Sequence, residues 1–145
     1  MINLFDTNDY NHFVNRINQL QADSKPQWGK MNAAQMLKHC MEVQDACNGK
    51  PLQNVSFIIK LFKSFVKKSV LSDKPYPKNS PTAPQYLVTN TIDFNEAKAA
   101  FLSSLERFVA NTGSAEHTLF GTLSKEERNK AVAKHNLHHL EQFGV

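Results

Sequence analysis

The chain has 145 residues and a net charge of +4, with 41% apolar and 21% charged residues, a balance that fits a folded domain with a sizeable core and excludes a disordered chain. The opening "MINLFDTNDY" carries acids early and lacks the sustained apolar run of a signal peptide, and the most apolar stretch, "VSFIIKLFKSFVKKSVL", is broken by lysines and does not read as a membrane span. We therefore expect one cytoplasmic domain over residues 1–145.

A first helix is expected from about Asn8 to Gln21, where Tyr10, Phe13, Val14, Ile17 and Leu20 recur at the three- and four-residue spacing of one apolar face. Pro26 and Gly29 in "SKPQWGK" break the pattern. In "MNAAQMLKHCMEVQDACNGKP", Asn32 is an N-cap with Gln35 at the third helical position, an Asn variant of the capping box, and Met31 can staple onto Met36. Met36, Leu37, Cys40, Val43 and Cys47 form the inward stripe of this second helix, and Gly49 with Pro51 ends it. Cys40 and Cys47 lie about two turns, roughly 10 Å, apart, too far for a disulfide, so both read as free buried thiols.

A third helix is expected over roughly Val55 to Val70, with Ile58, Ile59, Phe62, Phe65 and Val66 supplying a wide apolar face. That face is broader than one helix of a small bundle needs. It points to a homodimer, or to the next loop folding back over it with Tyr76, Tyr86 and Leu87. Lys60, Lys63, Lys67, Lys68, Lys74 and Lys78 read as a solvated side, and neither nucleic acid nor membrane is expected as a partner. The stretch from Ser72 to Asn90 contains prolines 75, 77, 81 and 84; its length suits a lid or binding loop over a site. Asp93 with Glu96 caps a fourth helix, Phe94 to about Asn111, whose inward residues are Ala97, Phe101, Leu105, Phe108 and Val109. "TGSAEHTLFGTL" reads as a loop leading to Ser124 and Glu127, the capping box of a last helix from Lys125 to about Gln142. No strand and no repeat stands out, so the expected fold is all-α, a helix bundle.

The closing "KHNLHHLEQFGV" packs three histidines into five positions. His135 and His139 share a helix face with Cβ atoms about 5–6 Å apart, close enough to converge on one divalent ion, while His138 is turned about 100° away from its neighbour. A catalytic zinc site takes three protein ligands and keeps one position open; His39, inside the second helix, is the candidate third. A histidine on a bundle helix is usually a hydrogen-bonded core or boundary residue, and such pairs also arise by chance. Spacing alone leaves both readings open.

"WGKMNAAQMLKHC", with Trp28, Met31 and His39, resembles the helix-two signature of the DinB/YfiT-like superfamily of metalloenzyme-like proteins. "EHTLFGTLSKEERNKAVAKHNLHHLEQFG" resembles the C-terminal signature of a DinB-like branch of unknown function, through His117, Phe120-Gly121, His135, His138-His139 and Gln142-Phe143-Gly144. The resemblance covers nearly the whole chain. It implies an up-and-down four-helix bundle with an extra short helix or long proline-rich loop, and a divalent ion, commonly zinc or nickel, held by His39, His135 and His139. Dimers are frequent in that superfamily. Its activities include thiol-dependent S-transfer, a mycothiol-dependent isomerisation and hydrolase-like reactions, so the resemblance speaks more firmly for a site than for a reaction.

On this reading the metal activates a water or a low-molecular-weight thiol against a small electrophilic substrate. Glu42, His138 and His117 are the candidates for proton transfer. Each also has an ordinary reading, as a surface charge, a helix-end cation and a loop hydrogen-bonder respectively. The alternative is a non-catalytic bundle with a structural or vestigial metal site that works by binding a partner.

Overall fold

Four polar side chains start the four long helices, each taking up backbone N–H groups of a first turn that has no partner for them. The computed structural model describes residues 2–145. Asp6 opens α1 (Thr7–Gln19) by accepting from the N–H groups of Asn8 and Asp9. Asn32 opens α2 (Ala33–Cys47) with the full capping box to Gln35. Two short helices follow, α3 (Phe57–Leu61) and α4 (Lys63–Val70), with no side-chain cap on either. Asp93 opens α5 (Phe94–Ala110), and Ser124 with Glu127 opens α6 (Lys125–Gln142).

The chain is mostly helical, with one two-stranded sheet among the described residues. Helix α2 packs against both α5 and α6. One buried cluster draws on Leu4, on Phe13 and Ile17 of α1, on Leu37 and Cys40 of α2, on Phe101 and Leu105 of α5, and on Val132 and Leu140 of α6. Cys40 and Cys47 are free and buried, as their spacing predicts. No helix is long and apolar enough to cross a membrane among the described residues.

Three features depart from the sequence expectation. The segment read as a loop before α6 contains a hairpin, β1 (Ala115–His117) antiparallel to β2 (Gly121–Leu123), with His117 opposite Gly121. A three-residue connection closed by a glycine at φ +69° suits this turn, and three-residue strands are too short to show an alternating pattern. The single helix expected over residues 55–70 is two pieces meeting at Phe62, whose ψ of 15° lies outside regular helix. Neither piece fully buries any residue; Phe57, Ile58, Leu61, Phe62 and Phe65 point outward, and the next loop does not cover them. That loop is not structureless either: Pro84–Tyr86 forms a 3-10 turn that meets α2.

Arg128 is the largest fully buried side chain of the described residues. It reaches from α6 to the ends of two other helices and donates to the carbonyls of Cys47, Phe108, Asn111 and Gly113 and to Asn48 Oδ1. The C-terminal carbonyls of a helix have no partner inside it and carry partial negative charge, so one guanidinium both satisfies and neutralises them. This clamp sets α2, α5 and α6 against one another, and with them the two helices that carry the histidines.

Candidate metal centre

His39 stands mid-way along α2, and His135 and His139 stand one turn apart on the facing side of α6. Their three rings form a near-equilateral group, with centroids 4.9, 4.9 and 4.7 Å apart. One ligand atom from each lies within 4.8 Å of the others, so the trio can hold a metal ion. His39 and His139 are buried and His135 is half-buried.

The outer nitrogens explain which atoms face inward. His39 Nδ1 lies 2.9 Å from the Tyr86 carbonyl, and His139 Nδ1 lies 2.7 Å from Gln142 Oε1. A carbonyl oxygen only accepts, so both Nδ1 atoms carry the proton and both Nε2 atoms keep a bare lone pair. Gln142 is fixed in turn, because its Nε2 donates to the Trp28 carbonyl at 2.6 Å. His135 has a weaker outer contact, with Nδ1 3.5 Å from Asn136 Oδ1. Outer partners of this kind are what orient the histidines of protein metal sites.

The fit to a cation follows from the inner atoms. His39 Nε2 and His135 Nε2 are 3.0 Å apart. Two lone pairs at that distance repel unless a proton or a cation lies between them. Burial, chiefly, holds His39 below its usual range and takes His139 down to about 3; burial with the neighbouring His139 and His39 holds His135 well below. All three are therefore neutral near pH 7, the state in which imidazole ligates, and a trio of neutral imidazoles suits a borderline divalent ion.

The trio opens into a half-enclosed cavity of about 380 Å³ with mostly apolar walls. Ile59, Val66 and Val70 form one side of it, and Tyr76, Gln85 and Tyr86 of the proline-rich loop form another. That loop therefore lies beside the histidines. Gln85 Oε1 is buried there without a hydrogen-bond partner among the described residues. Cys47 also reaches the cavity, but burial pushes its thiol up to about 12, so it stays protonated and is no ready nucleophile.

A family model matches residues 3–144. The chain belongs to the family described as Protein of unknown function (DUF1569). No curated protein and no solved structure gave a significant match. The family description assigns no chemistry to the DUF1569 chain, so the roles of its residues rest on their geometry.

The proton-transfer candidates separate sharply in this DUF1569 member. His117 lines the cavity with the trio. Its Nδ1 accepts from the N–H groups of Leu119 and Phe120 at 3.2 and 3.3 Å, and its ring stacks on Phe120 at 4.3 Å. With Nδ1 occupied as an acceptor, the proton sits on Nε2, the atom left to meet a ligand. Burial, aided by Lys67, brings its pKa down to about 4, so His117 is a fixed neutral donor. His138 also reaches the cavity and lies edge-on to His139 at 5.3 Å, with Trp28 at 5.7 Å and Tyr76 at 5.8 Å, but it is not one of the three residues whose ligand atoms converge. Glu42 does not line the cavity. Its carboxylate is bound by Lys38 at 2.8 Å and Lys50 at 2.7 Å; burial pushes its pKa up, and these two lysines together outweigh that and lower it. The Tyr86 carbonyl and the Gln142 amide are the site components that sequence reasoning did not assign. Gln142, three residues after His139, was open to a spacing argument; Tyr86 acts through its backbone and leaves no residue-type signal.

Proposed function

We propose that the chain is a DinB/YfiT-like four-helix bundle, built from α1, α2, α5 and α6, that acts as a metal-dependent enzyme on a small electrophilic substrate in the cytoplasm. His39, His135 and His139 hold one zinc or nickel ion through Nε2. The bound ion supplies Lewis acidity, lowering the pKa of a water or a low-molecular-weight thiol toward neutrality. The packing of α2 on α5 and α6, and the Phe13–Phe101 contact between α1 and α5, support the bundle.

One observation carries the catalytic reading: the histidine trio opens into a cavity large enough for a small molecule, and no fourth ligand side chain closes it among the described residues. Structural zinc sites are closed by four protein ligands, and catalytic ones leave a position free. This favours an enzyme over a metal-stapled binding protein. The chain's own residues then select and orient the substrate. Apolar walls exclude water, His117 Nε2–H donates to an acceptor oxygen, and Gln85 Oε1 accepts from a donor on the same ligand. Because Cys47 is held as a thiol, an attacking sulfur comes from a co-substrate.

Elemental analysis of protein purified without a histidine tag tests the site. One equivalent of metal is expected, lost on His39→Ala, His135→Ala or His139→Ala and kept on His12→Ala, since His12 is exposed on α1. Equal retention in His39→Ala removes His39 from the centre. A panel of thiols and electrophiles on the loaded protein tests the reaction. Full metal occupancy that no added thiol or small anion perturbs in the spectrum of a cobalt-substituted protein would favour the structural reading.

A further inference from the structure

We propose that the outward face of α3 and α4 docks on an anionic lipid surface. At about 100° per residue, Phe57, Ile58 and Leu61 of α3 fall within an arc of roughly 100°, and Phe62 at the break and Phe65 in the first turn of α4 follow them. They are 76, 67, 68, 55 and 75% exposed, so the arc is a solvent-facing ridge of large apolar side chains. The helical ladder is interrupted between the two: Phe62 N–H donates to the Ile58 carbonyl at 3.2 Å at the end of α3, and Val66 N–H to the Phe62 carbonyl at 3.0 Å at the start of α4. The adjoining arc carries Ile59, Val66 and Val70, which wall the cavity over the histidines. The two helices thus turn one set of apolar side chains toward the protein and a second toward solvent. The lysines were expected to mark a merely solvated side; the exposed ridge beside them changes that reading.

Charge selects the occupant. No acidic residue occurs between Asp45 and Asp73, whereas Lys60, beside Phe57 and Leu61, and Lys68, one turn from Phe65, are exposed at the edge of the ridge. Asp73 itself is paired with Lys130 at 2.6 Å. The face is therefore apolar with a rim of one sign. A second copy docked by two-fold symmetry would bring those lysines toward their own copies with no acid on this face to offset them. An anionic bilayer meets both properties: the phenylalanines, Ile58 and Leu61 enter the boundary between headgroups and acyl chains, and the lysines stay at the level of the headgroups. Docking there sets the outer wall of the cavity against the lipid.

Co-sedimentation of the full chain with vesicles tests this, using phosphatidylcholine alone and phosphatidylcholine with about 30 mol% phosphatidylserine. We expect binding to the anionic vesicles only, weakening as salt rises, because headgroup attraction is screened. Phe57→Ser with Phe65→Ser should abolish it, and Lys60→Glu with Lys68→Glu should weaken it about tenfold or more. These positions are exposed, so an unchanged circular dichroism spectrum and metal content are expected of both variants. Equal binding to neutral vesicles, or none to anionic ones, overturns the proposal. So does a two-chain mass by light scattering that Phe57→Ser with Phe65→Ser returns to one chain, which would assign the ridge to a second copy.

Discussion

Gln142 does more for the histidine site than its place one turn from the chain end suggests. Its two amide atoms face opposite ways: Oε1 accepts from His139 Nδ1–H, and Nε2 donates to the Trp28 carbonyl. Gly29 makes that approach possible. It sits at φ +83°, and a Cβ there would lie 2.5 Å from Gln142 Nε2. A methyl group would push the amide aside and turn His139 with it. We predict that Gln142→Leu lowers metal affinity about 10- to 100-fold without loss of fold, the usual cost of removing an outer partner of a ligating histidine. Gly29→Ala should lower it in the same direction, and the double variant should be little worse than either alone, because both act through one imidazole. Competition with a chromophoric chelator measures this. Unchanged affinity in Gln142→Leu would mean that packing alone positions His139.

At the scale of elements, the relative placement of α2, α5 and α6 depends on a side chain that the apolar pattern ignores. Arg128 donates to helix-end carbonyls of both α2 and α5, and it is fully buried. We predict that Arg128→Met costs about 3 kcal/mol or more, since the buried carbonyls it leaves have no other donor. Urea unfolding would show it, and a loss below about 1 kcal/mol would mean that water replaces the guanidinium. The proline-rich loop is the second element with a role beyond connection. Its Tyr86 carbonyl orients His39, and Tyr76 packs edge-on to His135 at 6.4 Å. We predict that a ligand reaching the histidines slows hydrogen exchange between residues 76 and 87; no change there would make the loop a passive wall. The capping boxes at Asn32 and Ser124 were readable beforehand because they depend on residues three apart. The hairpin was not, because strands of three residues show no alternating pattern, nor was the outward turn of α3 and α4, which depends on contacts with the rest of the fold.

For the whole molecule, the buried neutral histidines tie stability to pH. His117 has a folded pKa of about 4 against an ordinary value of 6.5. Between these values the unfolded chain binds a proton that the folded chain does not, so metal-free protein loses stability as pH falls from about 6.5 toward about 4. His39, His135 and His139 act in the same sense. We predict a lower urea midpoint at pH 5 than at pH 7 in the presence of a chelator, and a shallower dependence in His117→Gln. A midpoint independent of pH would mean that these rings are solvated in the folded state. Local sequence was enough for the four long helices and their inward faces, for the caps Asn32, Asp93 and Ser124 though not for Asp6, and for the pairing of His135 with His139, because each of these depends on neighbours within a few residues along the chain. Only the tertiary structure decided that His39 meets that pair, that Tyr86 and Gln142 aim the rings, that Glu42 is drawn away by two lysines, and that Arg128 joins three helix ends. Those outcomes depend on distances between residues tens of positions apart, which the burial of one shared core sets and no local spacing encodes.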